Sequence, residues 1–219
     1  MVITTEIVEQ ALASSEMQNG RLTQCKDSMA LTKNQTRYLQ RYVTAEKIMK
    51  DFLPEFQVNF ARYPTKCLLG DCPTIADMKQ IWGGRFAEIW LANQVRDLAE
   101  YAGTDKKLDT LQLEEVARMA VQEFYYFKLS EFMLFFAHFK AGRYGKFYGN
   151  VDPLVIAEAL QKFKQWRNST LGYLHECQQR EEINKRPTND PEKLTYTEWQ
   201  ELKWLFNMGY ERGADGRIQ

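Results

Sequence analysis

The chain contains 219 residues, of which 44% are hydrophobic, a proportion that supports a substantial globular core. Lysine and arginine together number 29, as do aspartate and glutamate, so the balanced charge excludes a global field that attracts nucleic acid or membranes. The apolar runs fall far short of the roughly 18 residues that a membrane span needs, and the first residues lack a signal-peptide pattern. These features predict a cytoplasmic protein with no membrane partner.

Four cysteines are scattered along the chain, at Cys25, Cys67, Cys72 and Cys177. No second Cys or His pair follows Cys67 and Cys72 at the spacing of a zinc site. The pattern therefore favours reduced thiols in an intracellular protein and predicts no metal site.

The amino-terminal part of the sequence predicts an arm followed by an amphipathic helix. Residues 3–18 have weak helical spacing and meet a helix-stop signal at Asn19-Gly20, so we assign 1–34 to an amino-terminal arm. Residues 35–52 place apolar side chains on one broad face, as an amphipathic helix does. In residues 55–61 apolar and polar side chains alternate, which is compatible with a short extended segment.

The middle of the sequence predicts a series of helices. Thr74 and Asp77 have the spacing of a capping box at a helix start, and a strongly periodic helix follows. Residues 108–139 also have a helical period, and their apolar side chains come to occupy more than one face. We therefore expect 108–139 to form the buried central helix. A further helix begins at residue 154, and residues 166–179 either extend it or form a second helix.

The carboxy-terminal part, 181–219, combines a charged, proline-broken linker with an aromatic helix over residues 195–210. Exposed clusters of Trp and Phe are rare on monomers, so we expect this helix to pack on the core domain, 35–180. Together the segments predict an all-α fold, an irregular multi-helix bundle around the buried central helix. The sequence does not indicate an oligomeric state.

Residues 140–149 form the most distinctive stretch, a glycine-punctuated loop that is rich in cations and aromatic rings. Its glycines accept positive φ at little cost, and Asp152 suits the N-cap of the next helix, whose unpaired amides favour a nearby anion. The same loop also fits a purely structural corner, with its rings against the core and its cations solvated. The candidate contacts to nucleic acid or another anion are Lys140, Arg143, Tyr144, Lys146, Phe147 and Tyr148.

Motifs for catalysis and cofactor binding are absent from the sequence. It has no Walker-type phosphate loop and no Gly-x-Ser-x-Gly elbow, and the His175-Glu176 start of a zinc-protease motif lacks its second His. His138 is a candidate general base, but no nucleophile is positioned beside it in the sequence. The carboxylates of Glu123 and Glu131 lack the Glu-x-x-His partner motif of di-iron bundles. We therefore predict no catalytic residue, no cofactor and no metal, and a role without catalysis is favoured.

One resemblance rests on the stretch from Phe135 to Pro153, with upstream matches at Tyr63-Pro64, Pro73-Thr74-Ile75 and Trp90-Leu91. These residues resemble a segment of an uncharacterised all-helical family carried by bacterial mobile elements and phages. The resemblance extends over about residues 62–167 and implies a mobile-element setting, with an accessory role in DNA replication or transfer. It supplies no catalytic residues.

Three functional hypotheses follow from the sequence. The first is a non-enzymatic accessory protein that contacts DNA, or a replication or transfer protein, through the loop 140–149. The alternative is a protein-interaction adaptor without nucleic-acid contact, which uses that loop or the carboxy-terminal aromatic helix. A second alternative is a metal-dependent or hydrolytic enzyme whose site follows no familiar motif.

Overall fold

A computed structural model describes residues 31–103, 108–145, 147, 151–185 and 196–208. Within these ranges the chain forms ten α-helices and one 3₁₀ turn, and it contains no strand. The prediction of an all-α fold is confirmed. None of the helices in the described ranges combines the length and the apolarity that crossing a membrane requires.

The elements are numbered here in chain order. They are α1 (Lys33–Tyr42), α2 (Ala45–Asp51), a 3₁₀ turn (Pro54–Phe56), α3 (Gln57–Ala61), α4 (Pro64–Leu69), α5 (Ile75–Trp82), α6 (Gly84–Tyr101), α7 (Thr110–Glu123), α8 (Leu129–Lys140), α9 (Pro153–Lys185) and α10 (Tyr196–Asn207). The described residues up to Leu171 form one compact unit, and those from Gly172 onward form a second, so the boundary falls within α9.

The core of the first unit is built around α8. Every residue of α8 from Leu129 to Phe139 is buried, which makes it the central helix that the sequence predicts. Aromatic rings pack around it: Phe135 lies 5.6 Å from Phe163 of α9, and Phe132 lies 6.2 Å from Trp90 of α6, measured between ring centroids. The burial of these rings supplies a large share of the driving force for folding.

The structure corrects the extent of this central helix. The predicted helix over 108–139 is divided into α7 and α8 by a turn at residues 124–128. Four consecutive aromatic residues begin that turn, and aromatic residues are weaker helix formers than Leu or Ala. The backbone groups of the turn pair with the segment that precedes α5, because Ile75 N donates to Phe127 O (2.9 Å) and Leu129 N to Pro73 O (3.0 Å).

Two further boundaries differ from the sequence prediction. The helix expected over 35–52 is split into α1 and α2, because Thr44 Oγ1 caps α2 by accepting from Lys47 N. The extended segment considered for 55–61 is instead a 3₁₀ turn followed by α3. Here the polar Gln57 is buried and donates to Gln94 Oε1 (2.8 Å), whereas Val58 is 63% exposed. The alternation of apolar and polar residues in this segment therefore does not correspond to an alternation of buried and exposed side chains.

Other local predictions are found as expected. The capping box at the start of α5 is complete, since Thr74 Oγ1 accepts from Asp77 N and an Asp77 carboxylate oxygen accepts from Thr74 N. Gly83 has φ of 95°, a value that favours glycine, and it separates α5 from α6. The helix after the loop runs unbroken through the predicted extension and ends at Lys185.

Candidate functional site

The loop after α8 is fixed by aromatic packing. Tyr144 stacks on Phe135 at 5.7 Å between ring centroids, and Phe147 stacks on Phe139 at 5.2 Å. Both loop rings are half-buried, so one face of each belongs to the core edge. The intervening turn uses positive φ at Gly142 (78°), as the glycine spacing predicts.

Lys140, the first cation of the loop, contacts side chains of α6. Its Nζ lies 2.5 Å from Asp97 Oδ2 and 5.3 Å from the ring centroid of Tyr101. The Lys140 side chain is only 18% exposed, and Tyr101 Oη also donates to the Lys140 carbonyl (3.3 Å). The structure therefore gives Lys140 an acidic partner on α6.

Arg143 lies on the exposed part of the turn, and it makes no ion pair with any residue that the structure describes. The charge of Arg143 acts on the core residue His138, whose Nδ1 lies 3.4 Å from Tyr144 Oη. Burial, assisted by the charge of Arg143, lowers the pKa of His138 to about 4. His138 is therefore neutral at pH 7 and adds no charge beside Arg143, and its buried position gives it no free access to a substrate.

The start of α9 is capped from within the chain. Asp152 Oδ1 accepts from Leu154 N (2.8 Å), which occupies one of the amides that a bound anion needs. The remaining two candidates of the loop, Lys146 and Tyr148, lie outside the described residues, and their role stays a prediction. Of the six candidates, the structure thus places two rings on the core edge, one cation in a pair and one cation exposed.

The carboxylates considered for catalysis have structural partners. Glu131 is fully buried, with Oε1 accepting from Arg167 Nε (2.8 Å) and Oε2 from Lys128 N (2.9 Å). Burial raises the pKa of Glu131, and the two hydrogen bonds oppose that rise. Glu123 lies 3.6 Å from Lys164 at the surface. Over the described ranges, no three His, Cys, Asp or Glu side chains are grouped so as to hold a metal.

A second feature of the surface has no counterpart in the sequence analysis. A cavity of about 240 Å³ is lined by Asn59, Phe60, Tyr63, Lys66, Cys67 and Ser130. It adjoins a cleft of about 330 Å³, with which it shares Phe60, Lys66 and Ser130. The cations that line the cleft are Arg41 of α1, Lys47 of α2 and Lys66 of α4, so no local sequence motif marks them.

Residues 107–208 match the model of DUF6633, a family of unknown function, and the match covers somewhat less than half of the chain. The matched region contains α7 to α10, and so it includes the loop at 140–149. The chain is thus similar, over this region, to an uncharacterised family, as the sequence resemblance implied. No curated protein and no solved structure matches the chain.

Proposed function

We propose that the protein is a non-enzymatic accessory protein of a mobile element, and that it contacts nucleic acid, or a replication or transfer complex, through the loop 140–149. The observation that carries this proposal is the position of Arg143. Its guanidinium is exposed on a turn whose neighbouring rings are stacked on α8, and it has no acidic partner among the described residues.

Anchoring of the turn favours binding to a polyanion. Because Tyr144 and Phe147 already pack on the core, ordering the turn costs little further entropy when a phosphate is bound. Lys146, three residues along, adds a second positive charge, whereas the charge of Lys140 is largely compensated by Asp97. We therefore expect about two phosphate contacts, which correspond to a slope of log K against log salt of about −1.8 for duplex DNA.

The test is a salt titration of DNA binding by fluorescence anisotropy, with single-stranded and duplex oligonucleotides. The double variant Arg143→Glu/Lys146→Glu is expected to weaken binding at least about 10-fold and to remove most of the salt slope. Its matched control is Arg62→Glu/Lys79→Glu, which makes the same change in net charge at two exposed positions outside the loop. Affinity that ignores salt, or an equal loss in both double variants, contradicts the proposal.

A protein-interaction adaptor is the second candidate, and one observation favours it. In the second unit, Trp204 of α10 is 60% exposed, and Met208, which directly follows the helix, is 61% exposed. Such side chains are common at the centre of protein interfaces. A chain that ends at Lys193 lacks α10, and the adaptor hypothesis predicts that it loses a partner that the full chain retains in a pull-down. Unchanged partner recovery and unchanged oligomeric mass contradict this candidate.

A further inference from the structure

We propose that the cleft bordered by α1, α2 and α4 is a binding site for a small amphipathic anion. Its carboxylate or phosphate lies among Arg41, Lys47 and Lys66, and its apolar body occupies the adjoining cavity against Phe60 and Tyr63. This site is separate from the loop 140–149, and it does not depend on the function proposed for that loop.

The three cations of the cleft have no carboxylate partner among the described residues. Arg41 Nη1 donates to the carbonyl of Asp71 (3.3 Å), and Lys47 Nζ donates to the carbonyl of Arg41 (3.2 Å). The ammonium of Lys66 lies 4.8 Å from the centroid of the Tyr63 ring. A carbonyl group or a ring face orients a cation without cancelling its charge, so these three charges remain available to an anion.

Two acids also line the cleft, and their surroundings differ. The carboxylate of Asp71 accepts from Arg37 Nη2 (2.7 Å) and from Tyr38 Oη (2.9 Å), so its charge is offset on the side of α1. Asp51 lines the cleft without an ion pair to a described residue. Three cations therefore face one uncompensated carboxylate, and the cleft keeps a positive excess.

A fourth cation lies behind the wall of the cleft. Lys128 Nζ donates to the carbonyls of Leu68 (2.7 Å) and Gly70 (2.8 Å), and it too has no carboxylate partner in the described ranges. Hydrogen bonds with Ser130 and then the charges of Lys128 and Arg41 oppose the effect of burial on the pKa of the Cys72 thiol. The charge of Lys128 also acts on the buried carboxylate of Glu131, so part of that charge is offset there.

The thiols and the tyrosine that line the two cavities add no negative charge to that of Asp51 and Asp71. Burial raises the pKa of Cys67 and of Cys72 to about 11 each, so both thiols stay protonated at pH 7. Tyr42 stays neutral for the same reason, since burial raises its pKa to about 12. Ser130 Oγ donates to the Cys67 carbonyl (2.8 Å), which keeps it at the position that both cavities share.

The dimensions suggest the size of the ligand. An enclosed protein cavity of about 150 Å³ binds benzene, and this pocket of about 240 Å³, which is open to solvent on one side, has room for a bicyclic ring system. Because Phe60 and Lys66 border both cavities, the apolar body and the anionic group must be joined directly or through a short linker. An apolar pocket with a few charged groups at one end is the usual form of a small-molecule site.

The experiment is isothermal titration calorimetry on the full chain with four probes. They are 2-naphthoate, 1-naphthyl phosphate, the neutral 2-naphthalenemethanol and inorganic phosphate. We expect at least one naphthyl anion to bind at least about 10-fold more tightly than both the neutral alcohol and phosphate alone. The proposal is overturned if neither naphthyl anion binds, or if the neutral alcohol binds as tightly as the better anion.

Three single variants then locate the site. Lys66→Gln is expected to weaken binding of the better anion about 5- to 20-fold, and Asp51→Asn to tighten it about 3-fold, because removal of a like charge favours the anion. The control Lys50→Gln lies on the same helix as Asp51, but its ammonium pairs with Glu46 and does not line the cleft, so a change below about 2-fold is expected. Tighter binding cannot result from misfolding. Weaker binding by Asp51→Asn, or equal losses in Lys66→Gln and Lys50→Gln, overturns the proposal.

Discussion

The two ends of α8 are held by ion pairs of opposite character. At the amino-terminal end, the carboxylate of Glu131 is fully buried and bonded to Arg167 of α9, whose guanidinium also lies 4.9 Å from the Phe127 ring centroid. At the carboxy-terminal end, Lys140 pairs with Asp97 at a partly exposed position, where water and salt screen the attraction. Breaking the first pair leaves a charge inside the core, whereas breaking the second leaves two charges that water can solvate.

This difference separates an end of α8 where a buried charge depends on its partner from an end where charges can change at little cost to folding. Several segments meet at the amino-terminal end of α8, where Lys128 and Ser130 bond to carbonyls of residues 67–70. At the carboxy-terminal end the loop is held by ring stacking on Phe135 and Phe139. Charge substitutions at the loop are therefore expected to alter binding with little effect on stability, and the predictions below test that contrast.

The largest effect is expected for Arg167→Met, which leaves the buried carboxylate of Glu131 without its ion-pair partner. We expect a loss of about 3–5 kcal/mol in the free energy of unfolding, measured by urea denaturation. The control is Lys164→Met, also on α9, whose ammonium lies 3.6 Å from Glu123 at the surface and contributes at most about 1 kcal/mol. The double variant Glu131→Gln/Arg167→Met should recover part of the loss, because no charge is then buried. Equal losses in Arg167→Met and Lys164→Met contradict this assignment.

An effect of up to about 3 kcal/mol is expected from His138 as the pH falls. Its pKa is about 4 in the folded chain and about 6.5 when unfolded, so between these values the unfolded state binds the extra proton. The contribution of neutral His138 to the free energy of unfolding is therefore fully present above pH 6.5 and is lost as the pH falls towards 4. His138→Phe should remove this loss, which is checked by urea denaturation of both chains across that range. The raised pKa of Glu131 acts in the opposite direction in both chains, so the difference between them isolates His138. Parallel pH profiles contradict the prediction.

The sequence predicts the helices of this fold better than their connections. Apolar periodicity marks the burial around α8, and the Thr74–Asp77 capping box marks the start of α5, because both signals are local. The turn at 124–128 depends on non-local hydrogen bonds, since its backbone partners lie about 50 residues earlier in the chain. Periodicity continues through such a turn whenever the residues on both sides are buried.

The site was predictable only in part, for a similar reason. The glycine spacing indicates that residues 140–149 turn tightly, and Gly142 and Gly145 have positive φ as a result. The partner of Lys140 comes from a helix 43 residues away, and nothing in the loop sequence indicates that Asp97 will meet it. The cleft is a stronger example, because its cations lie on three helices and become neighbours only after folding.

The smallest effect is expected at the carboxy-terminal end of α8, for Lys140→Met and Asp97→Asn. Each should cost less than about 1 kcal/mol, and a double-mutant cycle should give a coupling energy of about 0.3–1 kcal/mol, since the pair is partly exposed. The double variant Lys140→Met/Asp97→Asn distinguishes a paired charge from a free one in DNA binding, because Lys140→Met alone leaves the carboxylate of Asp97 uncompensated. We expect the double variant to change the DNA affinity less than about 2-fold, whereas Arg143→Met weakens binding several-fold. Equal losses from the double variant and Arg143→Met show instead that the cation of the pair faces the nucleic acid, and the loop then acts as one continuous positive surface.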